Sequence, residues 1–156
     1  MFIREYHPGD RDTVIALVAR VLGEFGFESN VAGVERDLRE AHERYAGDRA
    51  GFWVLDDGGQ VVGTVAIRPK DERTCEIKRL YLRPDARGSG LGQRLYEHAE
   101  AFARRAGYDR IWLDSSRRFT RARKLYERNG FVLLEEVDNA WEDNVYEKRL
   151  TIRRCT

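Results

Sequence analysis

The sequence predicts an α+β domain built on a mixed, mostly antiparallel central sheet of about seven strands with helices on both faces. Three observations predict it. Short β-rich segments recur between amphipathic stretches, and two of them flank the turn pair Gly58-Gly59. The order of elements, β-α-α-β-β-β-α-β-α-β-β, puts an antiparallel meander at the front and a parallel crossover in the middle.

The first strand is "FIREY", which alternates. A helix follows, opened by Pro8 and Asp10, with Val14, Leu17, Val18, Val21 and Leu22 on one stripe at helical spacing. A second, heavily charged helix is expected over "VERDLREAHERYAG", stopped by Gly47. "GFWVLDD" and "QVVGTVAIRP" form a hairpin through Gly58-Gly59, and "TCEIKRLYLRP" is the next strand, ended by Pro84. From Gly88 onward Leu91, Leu95, Ala99, Phe102 and Ala106 recur at helical spacing, with Gly107 at a left-handed cap position. "YDRIWLD" reads as a buried strand, "TRARKLYERN" as a helix stopped by Gly130, and "FVLLEEV" and "NVYEKRL" as strands joined by "DNAWED".

A chain of 156 residues buries enough surface for one self-sufficient domain, expected to span residues 1–156. Hydrophobic residues at 42% and charged residues at 35% fit a globular protein, and a net charge of +1 argues against a dedicated nucleic-acid binder. The N-terminal apolar run is broken by Arg20 and preceded by acids, unlike a signal peptide, and no stretch reaches the length of a membrane span. Cys75 and Cys155 offer neither a disulfide framework nor metal-ligand spacing, and His7, His42 and His98 stand apart from other ligands. A cytoplasmic protein without a metal, without a membrane partner and without nucleic acid is the expectation.

The stretch "EIKRLYLRPDARGSGLG" carries the chemistry. Gly88, Gly90 and Gly92 at a helix entrance expose backbone N–H groups at the positive end of the helix dipole, an arrangement suited to a small polyanion. A Walker loop is excluded because Gln93-Arg94 stands where Lys and then Ser or Thr would be. A dinucleotide fingerprint needs its third glycine one residue later, and "RPDAR" separates strand from helix.

What remains, Arg87 opening R-x-x-G-x-G in "RGSGLG", resembles the first signature of the GNAT superfamily of acyl-CoA-dependent N-acetyltransferases. "ARKLYERNGF" resembles its second, in the right order and with "IWLD" between them. The resemblance covers residues 50 to 150 by motif and the N-terminal helices by architecture. It implies acetyl-CoA as cosubstrate, gripped along its pantetheine arm by the backbone of Leu80, Tyr81 and Leu82, with Arg87, Gly88, Ser89, Gly90, Leu91 and Gly92 around the diphosphate. Arg87 either pairs with phosphate or fixes the loop.

The resemblance also implies roles in moving acetyl to an amine. An amine with a pKa near 10.4 lies roughly three units above neutrality, so a base is useful. Glu76 resembles the general-base glutamate of some members; its competing role is a salt bridge with Lys78 or Arg79. Tyr126 matches the tyrosine that returns a proton to the thiolate; its competing role is core packing beside Ala122 and Leu125. A strand N–H near Leu80 or Tyr81 is the expected oxyanion donor. Phe119 stands where many members carry Asn, with Ser115 and Ser116 as candidate substitutes.

Charge is segregated: Arg104–Arg128 holds nine Arg or Lys against three acids, and Asn129–Glu147 six acids without a Lys or Arg. Arg117, Arg121 and Arg123 are candidates for the cofactor 3′-phosphate. Glu135, Glu136, Asp138, Glu142 and Asp143 are candidates for drawing in a cationic amine, with Trp141 as a cover, although solvated faces explain both runs too. The expected reaction is direct attack by a primary amine in a ternary complex, the rival a catalytically silent acyl-CoA-binding module. The residues decide neither the acceptor amine nor a homodimer.

Overall fold

The computed structural model describes residues 1–28 and 31–150. Its elements are β1 (Phe2–Glu5), a 3-10 turn at Pro8–Asp10, α1 (Arg11–Glu24), α2 (Val31–Arg39), α3 (Ala41–Arg44), β2 (Gly51–Asp57), β3 (Gln60–Pro69), β4 (Thr74–Leu82), a second 3-10 turn at Pro84–Ala86, α4 (Leu91–Arg105), β5 (Arg110–Ser116), α5 (Thr120–Arg128), β6 (Val132–Glu136) and β7 (Asp143–Arg149). The strands form one seven-stranded sheet in the order β1-β2-β3-β4-β5-β7-β6, antiparallel except for the β4–β5 pair. Cys155 lies outside the described residues; Cys75 is buried, and burial pushes its thiol up to about 12.

Each sheet face carries its own core. The α1 stripe Val14, Leu17, Val18, Val21 and Leu22 is buried as its spacing predicts, and packs with α2 and with Phe52, Val54 and Ala66 of the sheet. On the other face Leu91, Leu95 and Ala99 of α4, with Leu125 and Tyr126 of α5, pack on Leu55, Val65, Ile67, Cys75 and Ile77. The hairpin of β2 and β3 has the predicted limits, with Gly58 and Gly59 at φ +60° and +92°. Beyond α4, Gly107 at φ +87° makes the expected left-handed cap. β6 is an edge strand on which Val132, Leu133 and Leu134 are all exposed.

The second helix departs from expectation: α2 starts earlier, at Val31, and the helix breaks at Glu40 before the single turn of α3. The break lets Val34, Leu38, Ala41 and Tyr45 all reach the core. It also turns Asp37 inward, where its carboxylate accepts from the Tyr45 hydroxyl at 3.1 Å and from Arg79 Nε and Nη2 at 3.1 and 3.0 Å.

Arg79 is itself unusual. The β3–β4 register slips between Thr64 and Ala66, a bulge in β4, and Arg79 adopts a left-handed φ of +57° there. Its carbonyl accepts the Thr64 hydroxyl at 2.6 Å, and its guanidinium reaches Asp37 of α2. The side chains of this pair are only 12% and 9% exposed, so removing one partner strands a buried charge. Asp37→Ala is expected to lower unfolding free energy by about 3–5 kcal/mol in urea titration.

A second ion pair makes stability depend on pH. Arg4 donates to Asp10 through both terminal nitrogens at 2.9 Å and to Asp56 through Nε at 2.9 Å. Burial alone would raise the Asp10 carboxyl, but the Arg4 guanidinium and the His7 amide outweigh it and the net shift is downward. The contribution of a depressed carboxylate is complete above its unfolded pKa and is lost as pH falls through its folded one. Stability measured from about pH 6 down to about pH 2 should therefore fall at the acid end, and Asp10→Asn should flatten that part of the fall.

Candidate functional site

β4 and β5 are partners over a short length only: Thr74 opposite Arg110, Cys75 opposite Ile111, Glu76 opposite Trp112. Beyond Glu76 the two strands separate, while β4 runs on to Leu82 paired with β3 and β5 runs on to Ser116 paired with β7. The bulge at Arg79 bends β4 at this point, as bulges do. A cleft of about 1090 Å³ fills the gap. Past Glu76, the β4 edge facing it has no strand partner among the described residues, so its backbone is open to an extended ligand.

The glycine segment closes one end. Gly88 and Gly90 have φ of +87° and +80°, and Gly90 is the residue from which α4 starts. Among the described residues, none of the backbone amides from Gly88 to Gln93 donates a hydrogen bond to the protein. Gly92 is part of α4, and a Cβ there would make ordinary contact with Leu125 and Leu82 at 3.4 and 3.5 Å. Lysine and arginine line the cleft from α5: Arg121, Lys124 and Arg128 lie at i, i+3 and i+7, one helical face, and Arg128 donates to the Gln93 side chain at 3.2 Å.

Leu80, Tyr81, Leu82, Arg87, Gly88, Gly90, Leu91, Gly92 and Tyr126 all line the cleft, whereas Ser89 is exposed beside it with its hydroxyl donating to Ala86 O. Arg87 ion-pairs with Glu24 and donates to Leu82 O at 3.2 Å, so it ties the loop to α1 and β4. Tyr126 packs against Phe131 and Tyr146, and its hydroxyl has no hydrogen-bond partner among the described residues. Burial, then the neighbouring Tyr81, Tyr146 and Asp114, push its phenol up, so it holds its proton through neutrality.

Glu76 does not join them: it is absent from the cleft lining and its Oε1 accepts from Arg68 at 2.7 Å with Lys78 at 3.7 Å. Its Oε2 has no partner among the described residues. Of the candidate phosphate arginines only Arg121 lines the cleft. Arg117 donates to Asp143 O and Arg123 pairs with Glu127. Of the candidate acids only Asp143 does, since Glu142 is held by Arg118 at 2.7 Å. Lys124 escaped the sequence reading, although its helical spacing from Arg121 was a usable signal. So did Asp114, whose cleft exposure depends on where β5 leaves β4.

Phe119 fills the place of the expected Asn with an aromatic hub. Its ring lies 4.9 Å from Phe25, 5.7 Å from Phe27 and 6.2 Å from Tyr81, and Phe27 lies 5.1 Å from Trp141. Ser115 and Ser116 both line the cleft, and Ser116 is buried with its hydroxyl accepting from the Arg118 amide at 3.2 Å. No group of three or more metal-ligating side chains forms among the described residues, and no described helix is long and apolar enough to cross a membrane.

Residues 19–131 match the model of the acetyltransferase (GNAT) family. The chain is 31% identical over 150 residues to an uncharacterized N-acetyltransferase of Schizosaccharomyces pombe, covering 94% of this chain and 91% of that one. Its fold is similar to that of an acetyltransferase from Streptococcus agalactiae, at a TM-score of 0.85 and 25% identity over 96% of this chain and 98% of that one. It is also similar to the PaiA N-acetyltransferase of Thermoplasma acidophilum, solved in complex with coenzyme A, at a TM-score of 0.75 and 18% identity over 96% and 98% of the two chains.

The unpaired amides owe their direction to left-handed glycine. Gly90→Ala meets no atom within 4 Å but must hold φ +80°, so it should cost about 1 kcal/mol of stability. Calorimetry should show inorganic pyrophosphate binding the variant more weakly than the parent.

Proposed function

Because the chain belongs to the GNAT acetyltransferase family, and its relatives bear the name N-acetyltransferase, we propose that it transfers acetyl from acetyl-CoA directly to a primary amine within a ternary complex. The observation that carries this reading is the run of unpaired amides from Gly88 to Gln93 beside the unpartnered edge of β4. The residues present fit acetyl-CoA: helix-start amides and Arg121, Lys124 and Arg128 for its phosphates, and a free strand edge for its arm.

Acetyl-CoA supplies the thioester, and the protein supplies the rest. A backbone N–H at Leu80 or Tyr81, just past the bulge, meets the charge that develops on the carbonyl oxygen as nitrogen bonds to its carbon. The ammonium proton passes through water to Oε2 of Glu76, the oxygen that Arg68 and Lys78 leave free. As the carbon–sulfur bond breaks, Tyr126 gives its hydroxyl proton to the departing thiolate. The thiol reference pKa lies about two units below that of tyrosine, and the upward shift of Tyr126 adds to this difference, so the transfer depends on the thiolate being held against the hydroxyl. The nitrogen's second proton, lost as the amide forms, returns through water to the Tyr126 phenolate, and Glu76 releases the first to solvent, so the acetylated amine and coenzyme A leave with both residues restored.

A thiol-release assay over an amine panel tests the reading. Tyr126→Phe should lower kcat by roughly 10²-fold while the calorimetric Kd for coenzyme A stays unchanged, and Glu76→Gln should lower kcat by roughly the same factor at neutral pH. Coenzyme A binding with no acetylated product from any amine would instead mark a silent acyl-CoA-binding module.

A further inference from the structure

The end of the cleft away from the glycine loop has a composition that acetyl transfer alone does not require. Among the described residues three acids line the cleft: Glu24, Asp114 and Asp143. Glu24 is committed to Arg87, and the other acids near the cleft are engaged too, Asp37 by Arg79, Glu76 through Oε1 by Arg68 and Glu142 by Arg118. Asp114 has neither an ion pair nor a hydrogen bond among the described residues, and the Asp143 carboxylate accepts only from Asn139 Nδ2 at 3.0 Å. The two share a sheet face: Asp143 stands opposite Ser116, and Asp114 is two residues back along β5. Such diagonal neighbours lie about 7 Å apart, within reach of one ammonium between them.

Their environment says that they feel each other and the reaction centre. Burial raises the Asp143 carboxyl and Asp114 raises it further, with Asn139, Lys78 and Arg117 opposing. The Tyr81 phenol is pushed up by burial, with Asp114 and Asp143 adding to the shift and Arg79 opposing it. Asp114 also bears on Tyr126. A cation placed here relieves the repulsion between two carboxylates a short distance from the residue assigned to the leaving thiolate.

Around this pair the wall is apolar and flat. Phe25, Tyr81, Phe119 and Trp141 line the cleft with Val21 and Val34, and Phe119 joins Phe25 and Tyr81 through edge-on contacts. Aromatic rings in such arrangements favour a further ring over a polar chain. A polyamine would need another free acid for its second ammonium, and the only other acid in the lining is occupied by Arg87. An amino acid would set its carboxylate against two aspartates, while the charge of Lys78 is offset by Glu76 at 3.7 Å.

We propose that the acceptor is an arylalkylamine, its ammonium received between Asp114 and Asp143 and its ring seated against Phe119, Phe25 and Trp141. The proposal rests on the acetyltransferase reading above and names the substrate class of that site. Phe119, where the related signature carries Asn, is then a specificity determinant.

The test has two arms. With saturating acetyl-CoA, thiol release is compared for 2-phenylethylamine, butylamine, putrescine and alanine. The aryl amine should lead each of the others in kcat/KM by roughly tenfold or more. Asp114 is exposed, so Asp114→Asn keeps the fold while raising KM for 2-phenylethylamine roughly tenfold with the Kd for coenzyme A unchanged. Phe119→Asn should bring the aryl and butyl rates to within a few-fold of each other. A preference for putrescine or alanine overturns the proposal and leaves acetyl transfer intact. If no amine is acetylated, the second arm decides: calorimetric binding of 2-phenylethylamine to the protein saturated with coenzyme A. Absent binding, or binding equal in Asp114→Asn, overturns the proposal; binding lost in that variant upholds the pocket while acetyl transfer fails.

Discussion

The separation of β4 from β5 after Glu76 is the constraint on which the rest of the structure depends. A strand edge left open inside a sheet exposes unmet N–H and C=O groups, and a protein tolerates it only where something holds the strands apart. Here the holding element is Arg79. Its left-handed backbone makes the bulge, its carbonyl is pinned by Thr64, and its guanidinium is anchored on Asp37 of α2. A helix packed on one face of the sheet thus fixes the bend of a central strand.

The cleft that results carries groups of both signs. Arg121, Lys124 and Arg128 of α5 line it together with Asp114 of β5 and Asp143 of β7. A net charge of +1 conceals this arrangement, because basic and acidic residues are nearly equal in number over the whole chain. Local fields in a walled cleft are set by such placement and not by the sum over the molecule.

Much of the frame was legible because its causes are local. Gly58-Gly59 fixes the β2–β3 hairpin, the stripe from Val14 to Leu22 fixes the buried face of α1, and the left-handed glycines 88 and 90 mark the entrance to α4. The rest depends on partners far apart in sequence. The break at Glu40 follows from burying Asp37 against Arg79, and no glycine announces the bulge that Arg79 makes. The resemblance implies chemical roles for both Glu76 and Tyr126. Tyr126 lines the cleft and Glu76 is bound to Arg68 outside the lining, a difference set by strand pleat and by an arginine eight residues earlier. The arginines and acids of the two charged runs could not be sorted one by one, since which of them turn inward depends on neighbours such as Glu127 and Arg118.

Phe119 belongs to no strand; it precedes α5 and meets Phe25 and Phe27, which follow α1. Apart from Tyr81 of β4, the aromatic wall is therefore assembled from connecting segments, while the proposed carrier site is assembled from a strand edge and a helix start. Such a division separates what must stay constant from what is free to drift. A lineage could exchange the rings, and with them its choice of partner molecule, without disturbing the machinery that holds the activated group.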